Sequence, residues 1–241
     1  MSIYAKAMAQ AAGIVTRRNP KKGTPKTLKF EDTDGRIQTV KATFLGSGMF
    51  TDAYLGEDNK VYLVTITDSE YPGVDDTKGA IAEMNRDDGP QPHIPMIERV
   101  GWTEVTKKPP PGRRWYRGHN RFDATVYRSP LYNAPLRKGN ATKQAWSDYR
   151  ALGKALEAAQ RKLGWRSSPY DGYKMNMLTI ENFQGSESVK QALQSLVGYI
   201  NNYGTEYGFE FPARNLATDA QGQLILLDPL YSRVSVQRLG R

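Results

Sequence analysis

Three oxygen-bearing side chains stand around one apolar run near the end of a 241-residue chain. In FEFPARNLATDAQGQLILLDP, residues 209–229, Glu210 and Asn215 lie in a polar stretch and Asp228 closes the run LILL. Glu210 precedes Asn215 by five positions, and Asn215 precedes Asp228 by thirteen. A carboxylate can accept the proton of a hydroxyl. An amide oxygen and a second carboxylate together form a donor set for a hard cation such as Mg²⁺. The three types in this order therefore suit a metal–nucleotide site. They also suit a surface turn, a core strand and a terminating turn, so the choice rests on what lies upstream.

Upstream, the hydrophobic pattern predicts strands first and helices later. TLKFED and IQTVKATFLG are rich in β-branched and aromatic residues and are separated by the turn-forming DTDGR. DAYLGEDNKVYLVTIT reads as strand, turn and strand, and DTKGAIAEMNRD, residues 76–87, as a helix. IPMIERVGWTEV and RFDATVYRS are two further strands around the Pro-rich, basic excursion TKKPPPGRRWYRGHN. The period then lengthens. Ala145, Tyr149, Leu152, Leu156, Ala159 and Leu163 form one helical stripe, and Val189, Leu193, Leu196, Val197 and Ile200 another, with Gly164 and Gly204 as stops.

The segment FLGSGMFTDAYLG sets Gly46, Ser47 and Gly48 between two strands. Glycines permit a close backbone approach, so the amides of such a turn can cradle phosphate oxygens. It is not a P-loop, because no Gly-Lys-Ser/Thr follows and the next element is a strand. A Gly-rich hairpin, a helix after the third strand, and a later loop with an acid, an Asn and a strand-ending Asp make up the parts that phosphoryl transfer needs.

In that order and spacing the chain resembles the protein-kinase-like family, and in particular the early Ser/Thr protein kinases of T7-like bacteriophages. The shared motifs are Leu-Gly-x-Gly-x-Phe-x-x-Ala-Tyr at Leu45–Tyr54, the Glu210, Asn215 and Asp228 spacing, and Pro229 after Asp228. The resemblance implies an α+β, two-lobed fold with an antiparallel-sheet N-lobe and a compact helical C-lobe. It divides the chain into a basic arm at 1–29, a β-rich N-lobe at 30–130 and a C-lobe at 131–241. It further implies ATP and Mg²⁺ as cofactors, with Asn215 and Asp228 on the metal and Gly46, Ser47 and Gly48 over the triphosphate. Glu210 falls where the family carries its catalytic Asp, and RSPLYNAP where its hinge lies beside the adenine.

Three departures from that pattern bear on activity. Glu210 is longer than Asp by a methylene, and a displacement of about 1 Å can cost roughly 10²-fold in rate. The strand NKVYLVTIT has Leu63 where the family has its phosphate-gripping lysine, which leaves Lys41 and Lys60 as replacements from neighbouring positions and Glu83 without its family role. Thirteen residues follow Asp228, too few for a long activation segment and the peptide-binding helices.

Composition sets the remaining expectations. The net charge is +9 and the pI about 9.6, so the surface attracts phosphates or acidic partners. Without cysteine there is neither a disulfide framework nor a thiolate metal site. The two histidines, His93 and His119, lie apart and read as structural or surface residues. No apolar stretch reaches the roughly 20 residues of a membrane span. The opening residues carry no secretory pattern, which predicts a cytoplasmic protein without membrane contact, in the host cell if phage-encoded. Two functions stay open. One is phosphoryl transfer from ATP to Ser/Thr of host proteins or of the chain itself. The other is a pseudokinase that binds an acidic host protein or nucleic acid through residues 17–29 and 107–121, where Trp115 and Tyr116 stand among arginines.

Overall fold

The computed structural model of the chain describes residues 21–48, 50–67, 77–106, 121–164, 171–201 and 207–232. The expected N-terminal helix and the basic residues 17–20 and 107–120, with His119, Trp115 and Tyr116, lie outside them. The chain divides into two compact units, residues 1–76 with 97–131, and residues 77–96 with 132–241.

In the first unit, β1 (Pro25–Asp32), β2 (Ile37–Ser47), β3 (Thr51–Gly56), β4 (Lys60–Ile66), β5 (Glu98–Thr106) and β6 (Arg121–Pro130) follow the strand pattern of the sequence. Their arrangement does not follow the resemblance. The strands run β1-β2-β3-β4-β6-β5 and close into an antiparallel barrel. The kinase-like two-lobed fold with a sheet N-lobe is therefore incorrect: the architecture is α+β, with a closed six-stranded barrel and, among the described residues, four helices.

Closure has an identifiable cause. The last residues of β1 pair with β5, Glu31 opposite Trp102 and Asp32 opposite Gly101. A Cβ at Gly101 would lie 2.0 Å from the Glu31 carbonyl oxygen and 2.8 Å from the Phe30 ring, so only glycine lets the two backbones meet there. Register shifts at Arg99/Gly101 in β5 and Phe44/Gly46 in β2 bend the strands, as bulges do in barrels. The barrel packs Phe30, Tyr62, Val64, Ala124 and Val126 as one buried cluster. The Asp32 carboxylate shapes the β1–β2 turn by accepting from the N–H groups of Asp34 and Arg36 and from Gln38 Nε2. β1 also takes in Lys26 and Lys29, both exposed.

The second unit carries α1 (Thr77–Asp87), α2 (Lys143–Leu163), α3 (Gly172–Asn182) and α4 (Glu187–Ile200). Thr142 caps α2 by accepting from the Ala145 N–H at 3.1 Å, and the Gly164 N–H closes its far end on the Gln160 carbonyl. The buried face of α2 includes Asp148 as well as Ala145, Leu152 and Ala159. That carboxylate is satisfied at the start of α4, accepting from the Ser186 N–H at 2.7 Å and its hydroxyl at 2.9 Å, and from Gln144 at 3.1 Å. A charge buried at a helix N-terminus and hydrogen-bonded three times is favourably placed. The Tyr199 hydroxyl donates to Asp87 at 3.0 Å and ties α4 to α1. No helix among the described residues is long and apolar enough to cross a membrane.

The two glycines at bulges have different roles, and their alanine variants separate them. Gly101→Ala is expected to destabilise by about 1–3 kcal/mol, the usual range for overpacking. Gly46→Ala, with nothing within 4 Å of its Cβ, should change the urea midpoint little. Equal midpoints for the two variants would contradict the closure argument.

Candidate functional site

Glu210, Asn215 and Asp228 are brought together by one folded-back segment. β7 (Tyr207–Phe209) pairs with β10 (Leu230–Ser232), Phe209 opposite Leu230. Inside that ribbon β8 (Ala217–Thr218) pairs with β9 (Leu224–Ile225), and a 3-10 turn, Ala213–Asn215, lies between β7 and β8. Nesting one hairpin within another returns Asp228 to the level of Glu210. The Glu210 N–H donates to the Pro229 carbonyl at 2.9 Å, and the Asp228 N–H to the Asn215 carbonyl at 2.9 Å. Side chains complete the link, Asn215 Nδ2 donating to Glu210 Oε1 at 2.7 Å.

This last bond orients the amide. With Nδ2 spent on a carboxylate, Asn215 Oδ1 points elsewhere and accepts nothing among the described residues. Asn215 is buried, so its rotamer is fixed by packing. Asp228 is half-exposed and faces Lys78, with Nζ 3.5 Å from Oδ1. Asn215 and Asp228 thus offer hard oxygen donors of the kind Mg²⁺ takes, few in number, as suits an ion that keeps water and phosphate ligands. No three His, Cys, Asp or Glu side chains converge on a metal position among the described residues.

Packing around the ribbon holds these groups in place. Asn176, buried on α3, donates from Nδ2 to the Tyr207 carbonyl at 3.0 Å and accepts the Phe209 N–H at 2.9 Å. One side chain thereby satisfies the open edge of β7, just before Glu210. His93 performs a similar task for β9. Its Nδ1 lies 2.7 Å from the Leu224 carbonyl, its Nε2 2.9 Å from the Ser188 hydroxyl, and its own carbonyl accepts the Leu226 N–H. A carbonyl can only accept, so Nδ1 carries a proton, and His93 is structural as its isolation in the sequence implies. In the expected hinge segment, Asn133 exchanges both backbone hydrogen bonds with Thr218.

The other predicted phosphate contacts belong to the barrel unit. Gly46 and Ser47 end β2, and the Gly48 N–H donates to the Thr51 carbonyl at 2.7 Å. That amide is already engaged within the hairpin. The Ser47 hydroxyl donates to Asp52 at 2.5 Å, which places a carboxylate at the turn. Burial first, and the Asp52 charge second, push the Tyr54 phenol up to about 12. Lys41 on β2 and Lys60 at the start of β4 are both exposed, and Leu63 is half-buried opposite Ala53 and Tyr127. A cleft of about 690 Å³ on the barrel is lined by Glu31, Trp102, Glu104 and Asp123, with three carboxylates among its side chains.

The lysine that meets the candidate metal carboxylate is Lys78, and neither Lys41 nor Lys60. It sits one residue into α1, where a helical residue has no strand position to match. Among the basic residues expected to contact a partner, Lys21, Lys22, Lys26 and Lys29 are exposed, and Arg121 pairs with Glu104 at 3.4 Å.

If Asn176 supports the ribbon, Asn176→Ala should lower stability by about 1–3 kcal/mol, since two buried backbone groups lose their partners. Asn176→Asp, which keeps an acceptor for Phe209, should fall between alanine and wild type in urea denaturation. Wild-type stability for the alanine variant would show that β7 is held by other means.

No protein-family model matches the chain, and no curated protein matches it in sequence.

Proposed function

We propose that the chain is an ATP- and Mg²⁺-dependent phosphotransferase, acting on Ser/Thr hydroxyls of host proteins or of itself. The observation that supports this most is the meeting of Glu210, Asn215 and Asp228 on one nested hairpin, joined to one another by two hydrogen bonds, with a third from Glu210 to Pro229. The acceptor class comes from the phage-kinase resemblance of these motifs and not from the architecture. Asn215 and Asp228 would hold the metal, which supplies neutralisation of phosphate charge. Glu210 would orient the acceptor hydroxyl and take its proton as the hydroxyl oxygen bonds to the γ-phosphorus. The bond from that phosphorus to the bridging oxygen breaks, and ADP leaves with the electron pair. Glu210 starts the reaction hydrogen-bonded to Asn215, so its carboxylate is already aimed by the residue beside it.

A second reading is supported by the barrel. The engaged Gly48 amide, the carboxylate of Asp52 at the turn and Leu63 in place of a lysine all disfavour a phosphate cover there. A chain of this kind would bind an acidic protein or a nucleic acid through its basic surface and transfer nothing.

Transfer from γ-labelled ATP with Mg²⁺, to the chain itself and to host-cell lysate, separates the two. Wild type is expected to deposit label on Ser or Thr, and Asp228→Asn to reduce it by about 10²-fold or more. No label with either protein would sink the transferase. The binder would then be tested by replacing Arg113, Arg114 and Arg117, which should weaken partner binding and flatten its salt dependence while Asp228→Asn leaves both unchanged.

A further inference from the structure

We infer that Lys78 is the phosphate-holding cation of this site and that its ammonium stands on Asp228 until a metal-bound polyphosphate enters. This rests on the metal–nucleotide reading of Asn215 and Asp228 given above.

Lys78 is placed with little freedom. Its neighbours on α1, Thr77, Gly79, Ile81, Ala82 and Met84, are buried. Further along the helix, Asn85 donates to the Pro95 carbonyl and Asp87 accepts from Tyr199. The lysine side chain is 15% exposed, although lysine ordinarily keeps its ammonium in water. Among the described residues its one acceptor is Asp228 Oδ1 at 3.5 Å, beyond the usual range for an N–H···O bond. That contact is long, and an arriving anion could bond the ammonium at shorter range.

The carboxylate that pairs with Lys78 is also the candidate metal ligand. A bare divalent ion on Asp228 would face the ammonium across a few ångströms, and the two cations repel. A polyphosphate removes the conflict, because its oxygens can ligate the metal and accept from Lys78 together. Metal and phosphate should thus bind as one unit, the metal poorly by itself.

The sign of the effect on each ligand tests this. Binding of Mn²⁺ alone would be measured by electron paramagnetic resonance. Binding of Mg²⁺ with the non-hydrolysable β,γ-imido analogue of ATP would be measured by calorimetry. Both would use the full chain as wild type, Lys78→Met and Lys78→Arg. Lys78→Met is expected to bind Mn²⁺ alone severalfold more tightly and the Mg²⁺–analogue roughly tenfold or more weakly, the size of a lost charge-assisted contact. Lys78→Arg should keep the analogue within a few-fold of wild type. Circular dichroism confirms that the variants fold, and Lys78→Gln replaces Lys78→Met if the latter does not. Wild-type binding that is unchanged in Lys78→Met, or both ligands weakened alike, overturns the role of the lysine and leaves the metal site standing. No analogue binding by wild type overturns the metal–nucleotide reading, and this inference with it.

Discussion

Two backbone hydrogen bonds, Glu210 N–H to Pro229 O and Asp228 N–H to Asn215 O, set the geometry on which the rest of the site depends. Each joins residues far apart in sequence across a ribbon only a few residues long. Short strands have little ladder of their own, so their register has to be supplied from outside. Asn176 supplies it at β7 and His93 at β9, each side chain bonding backbone groups of the ribbon. Phe209, Leu216, Leu224, Leu226 and Leu230 are buried, and they fix which faces point inward. A register slip of one residue would turn these apolar groups outward and carry Glu210 and Asp228 to the opposite faces. The positions of the polar groups are therefore enforced by hydrophobic burial, which is far larger in sum than any hydrogen bond among them.

The barrel illustrates a different route to order. Its six strands form a closed ring, because β1 and β5 meet at Glu31–Trp102 and Asp32–Gly101. That solution requires one point of close backbone approach, at Gly101, and two bulges that bend the neighbouring strands. An open sheet built from the same strands would expose the edges of β1 and β5. The glycine that mattered for the fold was thus in β5, and not in the turn whose Gly-x-Gly pattern attracts notice in the sequence.

Element by element, much was legible. Alternating β-branched residues predicted all six barrel strands, and the stripes at Ala145–Leu163 and Val189–Ile200 predicted two helices, because period and burial agree there. Helix α3 was missed. GYKMNMLTIEN begins with glycine and buries Asn176 and Thr179 beside Met175 and Leu178, which blurs the apolar stripe. Closure was missed because strand pairing between β1 and β5 is non-local and leaves no local period. Glu210, Asn215 and Asp228 stand out in the sequence by their spacing, and the ribbon links them by hydrogen bonds, whereas Lys78 has no such spacing. A lysine near the start of a helix has no signature until the tertiary structure shows what it faces. Asp148 was hidden for the same reason: on a helical wheel it is one polar residue beside the apolar stripe, and only the Ser186 cap explains its burial.

The net charge of +9 does not by itself place an anion anywhere on this molecule. Exposed charges farther apart than about 8–10 Å are largely screened at physiological salt, so Lys41, Lys60 and the basic strand residues of β1 raise the encounter rate more than they hold a ligand. What discriminates between candidate positions is the sign of the charges within contact range. The glycine turn has Asp52 beside its serine, and the barrel cleft has three carboxylates among its side chains. At Asp228 a carboxylate and the ammonium of Lys78 lie side by side, and the Asp228 N–H bonds the backbone of Asn215 on the same ribbon. With Glu210 bonded to Asn215, the ribbon brings two carboxylates and one ammonium to this place, a set that suits a cation and an anion arriving together. A metal–polyphosphate complex has that composition, whereas neither a free metal ion nor a bare acidic side chain does. The local balance of charge, more than the glycine pattern or the overall basicity, therefore favours a ligand of mixed charge at Lys78 and Asp228.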